Sequence, residues 1–336
     1  MRLLLTILLI LSFGYSDGQQ VINAHVRYRG FVSVSNDLLL DLYPGSAAAY
    51  SLRKLDKDYT GSAIRVRKDT TGQPEQDIGF LPSGELDTVS LKSFVLNNSA
   101  FVTTWYSQGD STSVNFTQTT AANQPRIMNA GVIERRNGKP ALFFDGSNDF
   151  MDVSSSTAKF AFLHQAGQSA VFITFQPGIV ADPNAAYMIL SNTSTSTQTG
   201  IQIVYDDQSS FSRNNRIRSF VTRSSTGNPT VDNVSNDDAC LPNVLGLFAF
   251  LYDNNNATAA NRSFIHYNAG AAINNNTFTN PPNSGNSTYN LRMGRRANAT
   301  DFNLIGYISE IVIYPTNQSS NRTAIQSNIN TFYAIY

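Results

Sequence analysis

The sequence predicts an all-β protein: a β-sandwich with a few short helices, one of them C-terminal. Short runs rich in β-branched and aromatic residues recur between Asn, Gly, Ser and Pro clusters, the pattern of many short strands. Composition agrees, because 41% of the 336 residues are hydrophobic and 11% aromatic, enough for a sizeable core. No repeat of fixed period and no low-complexity linker divides the chain, so residues 19–336 are expected to form a single domain.

The elements follow in chain order. Arg2 precedes an apolar run, Leu3 to Phe13, broken by Thr6 and Ser12 and followed by the small residues Gly14, Ser16 and Gly18. That run is about half the roughly 20 residues that span a bilayer, and it has the form of a secretory signal peptide. Cleavage after Gly18 leaves Gln19 as the new N-terminus and residues 1–18 as the leader. No later segment is long and apolar enough to span a membrane, so a secreted, extracellular chain is expected, with no transmembrane segment after cleavage.

The clearest strand candidates are Phe101–Tyr106, Ala141–Phe144, Ala170–Phe175, Tyr187–Leu190 and Ile201–Tyr205. Ile217–Thr222, Val244–Tyr252, Phe264–Tyr267, Tyr289–Met293 and Ile305–Tyr314 complete the set. Alternation in Ile201–Tyr205 puts Ile201, Ile203 and Tyr205 on one face and Gln202 and Val204 on the other. Ile217–Thr222 alternates less cleanly and reads as an edge strand. Val244–Tyr252 is apolar on both faces and belongs in the middle of a packed sheet. Three segments read as helical: Ser46–Leu55 with Ser46 as N-cap, Thr88–Val95, and a C-terminal segment capped by Ser320. In the last, Ile325, Ile329 and Phe332 share one face. Asn274 to Ser287 reads as a long loop inside the domain.

Charge excludes one class of function. There are 24 Lys+Arg against 24 Asp+Glu, a formal net charge of +0, whereas a nucleic-acid binder needs a basic face to displace phosphate counterions. The single cysteine, Cys240, excludes an intrachain disulfide and a Cys-based zinc site. His25, His164 and His266 lie in no ligand or triad spacing. Arg65–Lys68 and Arg295–Arg296 are the dense basic spots; they read as solvated, with the Arg pair also able to hydrogen-bond a glycan or an acidic sugar. Eleven asparagines open an Asn-x-Ser/Thr sequon: Asn97, Asn115, Asn192, Asn233, Asn256, Asn261, Asn275, Asn286, Asn298, Asn317 and Asn321. In a secreted chain these are candidate glycosylation sites.

Several phrases carry a family resemblance. Ala49–Leu55, Tyr59–Arg67, Asp77–Phe80, Gly84–Asp87, Thr104–Tyr106 and Phe144–Gly146 occur in that order, and Ile305–Tyr314 followed by Ile325–Asn330 closes the series. Together they resemble the catalytic domains of fungal-type α-L-arabinofuranosidase B and its relatives, across most of residues 38–336. The resemblance implies a concanavalin A-like, laminin-G-like jelly-roll sandwich, a fold that lectins, glucanases and adhesion modules all use.

The resemblance also implies where chemistry would sit. A retaining glycosidase needs two carboxyl groups about 5 Å apart, one nucleophile and one proton donor. The position matching the family's nucleophilic Glu is Gln202, and an amide does not attack an anomeric carbon. The stretch matching the proton donor is Arg292–Arg296, which offers Arg295 and Arg296, with Asp301 the nearest acid. The family's vicinal cysteine pair is missing, and its Trp-Tyr-Asp-Gln motif reads Trp105-Tyr106-Ser107-Gln108. No catalytic residue is therefore assigned. Trp105, Tyr106, Gln202, Asp206, Asp207, Arg295 and Arg296 remain as ligand-binding candidates. Asp145, Asn148 and Asp149 suit either a Ca2+ loop or an Asx-type turn, and their residue types favour the turn. Asp206 and Asp207 read as a solvated strand end. No other cofactor is implied.

The sequence thus points first to a secreted, non-catalytic sandwich that binds a glycan or an extracellular glycoprotein. A retaining arabinofuranosidase acting on arabinose-containing polysaccharide is one alternative. A structural, filament-forming or matrix glycoprotein packing against copies of itself is another, with Cys240 either cross-linking chains or buried.

Overall fold

The computed structural model describes residues 37–336, leaving out 112, 180–183, 195–197, 223–229, 276–278 and 280–283. The leader at residues 1–18 and His25 lie outside the described residues, as does part of the Asn274–Ser287 loop. Residues Asn36–Tyr336 fall in one compact unit.

The strands run in chain order as β1 (Ala48–Ser51), β2 (Ile64–Lys68), β3 (Glu75–Ile78), β4 (Ala100–Trp105), β5 (Phe116–Thr117), β6 (Arg126–Asn129) and β7 (Val132–Ile133). A short hairpin, β8 (Arg135–Arg136) and β9 (Lys139–Pro140), leads into β10 (Leu142–Asp145), β11 (Met151–Val153), β12 (Gln168–Pro177) and β13 (Asn184–Ser191). Then come β14 (Ile201–Gln208), β15 (Arg216–Thr222), β16 (Thr230–Val234), β17 (Gly246–Asp253), β18 (Ser263–Tyr267), β19 (Arg292–Met293) and β20 (Ile305–Tyr314). The helices are α1 (Leu39–Leu42), α2 (Thr88–Val95) and α3 (Arg322–Tyr333).

Every pairing is antiparallel, and the strands form two packed layers. The first runs β3–β2–β4–β6–β10–β20–β12–β17–β18, with β1 beside the C-terminal half of β20. The second runs β5–β11–β19–β13–β14–β15–β16. Strand β4 joins them, pairing with β6 at one end and β5 at the other. The main core lies between the layers: Val171, Ile173, Phe248 and Phe250 from the first meet Ile189, Ile201, Ile203 and Ile217 from the second. A second apolar cluster covers the outer side of the first layer. There Phe172, Leu247, Val312 and Tyr314 pack under Ile325, Ile329 and Tyr333 of α3 and under Leu39 and Leu40 of α1.

This is the all-β sandwich that the sequence predicts, with departures that packing explains. The run Val244–Tyr252 supplies β17, which begins at Gly246 and is buried on both faces between the core and the α3 cluster, while Val244 stays exposed before it. Asp87 caps α2, its carboxylate accepting the amides of Val89 (3.1 Å) and Ser90 (2.9 Å). Ser46–Leu55 is not a helix: Ala48–Ser51 pairs with β20 along its length. Its side chains alternate between the main core (Ala48, Tyr50) and the α3 side (Ala49), so burial on two faces overrides alanine's helix propensity. Ile217–Thr222 is not an edge strand, because β16 pairs with it from outside. Helix α3 is preceded by Asn321 at the N-cap, not Ser320, and buries Tyr333 where Phe332 was expected; Phe332 stays half-buried with the Arg53 guanidinium over its ring.

A bulge in β20 organises the α3 side. Thr174 faces Glu310 and Phe175 faces Ile308, so Ser309 is the extra residue. The kink buries Glu310, where Arg53 donates to it through Nε (2.8 Å) and Nη2 (3.0 Å) and Ser51 through its hydroxyl (2.7 Å). Tyr333 donates to the Ser309 carbonyl (3.1 Å), and Arg53 reaches Asn328 (3.0 Å). The network ties α3, β1 and β20 together.

Candidate functional site

Among the described residues, no helix covers the outer side of the second layer. Alternation on β14 sends Ile201, Ile203 and Tyr205 into the core and turns Gln202, Val204, Asp206 and Gln208 outward. Register brings Met188 of β13 and Arg218 of β15 to either side of Val204, and Phe220 beside Gln202. Ala186, Met188 and Val204 form a small apolar floor against which Phe220 and Phe302 pack half-buried.

Phe302 arrives on a loop that returns from β19. Met188 donates to the Phe302 carbonyl (2.9 Å), Leu304 to Gly294 O (2.7 Å) and Gly294 to Ile189 O (3.2 Å). Gly294 is required at the start of this loop. Its φ is +85°, and a Cβ would stand 2.4 Å from the Phe144 ring and 3.0 Å from the Asp149 carbonyl. The close approach aims Arg296, two residues on, over the Phe302 ring at 4.4 Å.

The result is a cleft of about 350 Å³ in which Gln202 and Arg296 both line the wall, with Arg213, Arg218, Phe220 and Phe302. The Gln202 amide nitrogen donates to Thr193 O at 3.1 Å. Arg218, stacked over Phe220 at 4.3 Å, spans two carboxylates, Asp206 through Nη1 and Asp232 through Nη2 at 2.6 Å. Arg213 reaches Asp206 and Gln208 at 3.4 Å each, and Arg296 pairs with Asp301. The Nε groups of Arg218 and Arg296 are shielded from solvent and have no hydrogen-bond partner. Among the described residues, no acidic one lines this cleft.

Of the sequence candidates, the fold brings only Gln202 and Arg296 together in this cavity. Asp206 and Asp207 are not a solvated strand end. Asp206 is wholly buried on the outer face, held by Arg218 and Arg213, and Asp207 points to the opposite face, where it accepts the Asn215 amide at 3.3 Å and burial raises its pKa. Adjacent strand residues face opposite ways, so the two do not form a reacting pair. Trp105 sits in the main core with no exposed surface. Tyr106 is turned outward on the first layer and donates to Asp77 (2.8 Å). Arg295 lies outside the cleft, over the Phe150 ring at 3.8 Å, with its pKa lowered by burial and by Arg292. Sequence reading missed Arg213, Arg218, Phe220 and Phe302. The two on β15 were accessible through alternation, but reading that strand as an edge hid them.

The other candidates resolve in the same way. Asp145 Oδ1 accepts the amides of Ser147 (2.7 Å) and Asn148 (3.4 Å), and Asp149 Oδ2 accepts the amide of Asp145 (3.0 Å). One oxygen of each carboxylate is thus committed to a backbone amide, the bonding of an Asx-type turn. Asp149 borders a separate cleft of about 320 Å³ on the first layer, and burial, then Asp145, pushes its pKa up to about 7. The one grouping of three acids near enough to share an ion among the described residues is Asp41, Asp56 and Asp58, and Lys57 Nζ lies 3.5 Å from Asp41 and 2.6 Å from Asp58. Arg67, expected in solvent, is buried against Gln124 at 2.7 Å. Among the sequons, Asn192 and Asn233 have no exposed surface. Asn192 accepts the Ile201 amide (2.7 Å) and Asn233 donates to Ser263 (2.9 Å), so neither has room for a glycan in the folded chain. Cys240 is buried in the main core with its thiol pushed up to about 12 by burial, which removes it as a cross-linking residue.

No protein-family model matches the sequence, and no curated protein matches it. Solved structures do match in fold. An arabinofuranosidase complexed with arabinofuranosyl-α-1,2-xylobiose superposes with a TM-score of 0.54 at 15% identity, covering 87% of this chain and 63% of that one. A GH54 α-L-arabinofuranosidase soaked with a cyclic sulfate inhibitor gives a TM-score of 0.53 at 15% identity with the same coverage. The chain spans 63% of the length of these structures, and what it shares with them is the sandwich.

Proposed function

We propose that this is a secreted, non-catalytic carbohydrate-binding protein whose saccharide site is the outer cleft of the second layer. The observation that carries the reading is the composition of the wall: two amides, three guanidiniums and two phenyl rings, with no carboxyl group among the described residues. Aromatic faces and planar hydrogen-bond donors suit sugar rings and their hydroxyls. Hydrolysis with retention needs a nucleophilic and a proton-donating carboxyl about 5 Å apart. The acids beside the cleft are all paired with its arginines, Asp206 and Asp232 with Arg218 and Asp301 with Arg296. The shared fold with an arabinofuranosidase bound to an arabinofuranosyl xylobiose makes pentose-rich polysaccharide a reasonable first ligand class. The partner is then a glycan, free or on an extracellular glycoprotein. Sequons on exposed Asn97, Asn261, Asn286 and Asn298 fit that location.

The test is titration calorimetry of the purified chain with arabinofuranosyl xylobiose, beside a chromogenic arabinofuranoside assay. Binding weakened at least tenfold by Gln202→Ala and by Arg296→Ala, without turnover, is the expected result. Turnover abolished by Asp206→Asn would replace this reading with a glycosidase. Absence of binding together with concentration-dependent assembly would favour a structural role.

A further inference from the structure

Resting on that reading of the cleft, we infer that it selects sugars bearing a carboxylate, uronic-acid residues over neutral ones, and that Asp301 is a built-in competitor for the same guanidinium. Among the described residues the lining holds Arg213, Arg218 and Arg296 and no acidic side chain. The balancing acids sit beside the cavity: Asp206 buried on the same face of β14 beneath Arg213 and Arg218, Asp232 on β16, and Asp301 on the rim loop. A ligand that enters therefore meets N–H groups of cations first. A guanidinium takes a carboxylate through two parallel hydrogen bonds and a hydroxyl through one weaker bond.

The three arginines have unequal capacity left. Arg218 is committed, each terminal nitrogen holding its own carboxylate. Arg213 makes only long contacts, 3.4 Å to Asp206 and to Gln208, at the outer limit of hydrogen bonding. Arg296 is held by Asp301 through Nη2 alone, and the Asp301 side chain is 53% exposed. So exposed a pair is weak and screened by salt. A carboxylate on a bound sugar takes the place of Asp301 on Arg296 at little cost, and does so over the Phe302 ring, where the phenyl face excludes water from one side of the new pair. A neutral sugar gains nothing from that exchange. Asp301 thus keeps the guanidinium neutralised in the empty cleft and sets a threshold that only an anionic ligand crosses.

Two probes of one backbone separate this inference from the reading beneath it: glucuronic-acid-substituted xylotriose and arabinofuranosyl xylobiose, titrated against the full chain at low and at 0.5 M salt. The acidic probe is expected to bind about tenfold tighter at low salt and to lose most of that margin at high salt. Asp301→Asn, a surface change, should tighten the acidic probe about threefold to tenfold and leave the neutral one unchanged. Arg296→Gln should weaken both probes and cost the acidic one more, so that the preference disappears, with urea unfolding reporting that the chain is still folded. Equal or weaker binding of the acidic probe overturns the selectivity and leaves the saccharide reading standing. An equal effect of Asp301→Asn on both probes overturns the competitor role, and failure of both probes overturns the saccharide site itself.

Discussion

The two outer faces of the sandwich use the same chemical pair for opposite ends. On the first layer, Arg53 and Glu310 meet with side chains 10% and 1% exposed, under α3, and every oxygen of the carboxylate is engaged. On the second layer, Arg296 and Asp301 meet with 24% and 53% exposed and no helix above them. The first pair is a pin: once sealed, it holds three elements in register. The second is held loosely and faces a cavity. What separates them is cover. A helix with an apolar face closes one sheet, and among the described residues none closes the other.

The comparison is broken or sharpened by substitution. The largest effect is expected from Glu310→Gln, which leaves the Arg53 guanidinium buried against a neutral amide. Loss of one partner of a buried pair costs about 3–5 kcal/mol, read from urea unfolding. A loss under about 1 kcal/mol would mean that the sealed face behaves like an exposed one.

Gly294→Ala comes next. It combines a left-handed backbone with a Cβ 2.4 Å from the Phe144 ring. The expected loss is about 2–3 kcal/mol, together with weaker saccharide binding, because Arg296 is aimed from this turn. Destabilisation with unchanged binding would show that the cleft is positioned independently of the turn.

Asp149 supplies the third case, a buried carboxyl that makes no ion pair among the described residues. Its pKa of about 7 in the folded chain lies above the roughly 3.9 of an unfolded aspartate. The native state therefore holds an extra proton between those values, and the stability this contributes is complete below pH 4 and lost as pH rises through 7. The advantage of Asp149→Asn over the natural chain should grow by roughly 1–3 kcal/mol between pH 5 and pH 8 in chemical denaturation. A difference that stays flat from pH 5 to 8 would remove Asp149 from the comparison.

Local pattern made much of this architecture legible. Ile305–Tyr314 is β20 to the residue, and β17 reads as buried on both sides from its unbroken apolar run. Thr88–Val95 reads as α2 because its cap is local, with Asp87 two and three residues from the amides it accepts. Where the deciding contact is distant, the local pattern misleads. Ala48–Ser51 carries good helix formers and becomes a strand because β20, more than 250 residues away, pairs with it. Strand β15 looked like an edge because nothing in its own residues reveals β16. The candidate site divides along the same line. Alternation alone puts Gln202 on the face opposite Ile201, Ile203 and Tyr205, whereas Arg213, Arg218 and Phe302 converge on it through register and a returning loop.

By itself, then, the sequence determined the class of the molecule: period-two hydrophobicity and turn-forming clusters leave an antiparallel sandwich as the way to bury so many short apolar runs. It also settled the chemistry that position 202 carries, an amide. The tertiary structure decided which charges are sealed and which are offered. Arg53, Arg218 and Arg296 are the same side chain in the text of the chain. They acquire different work because a guanidinium's strength depends on how much water surrounds it and how many acceptors face it, and both are fixed by elements far apart in sequence.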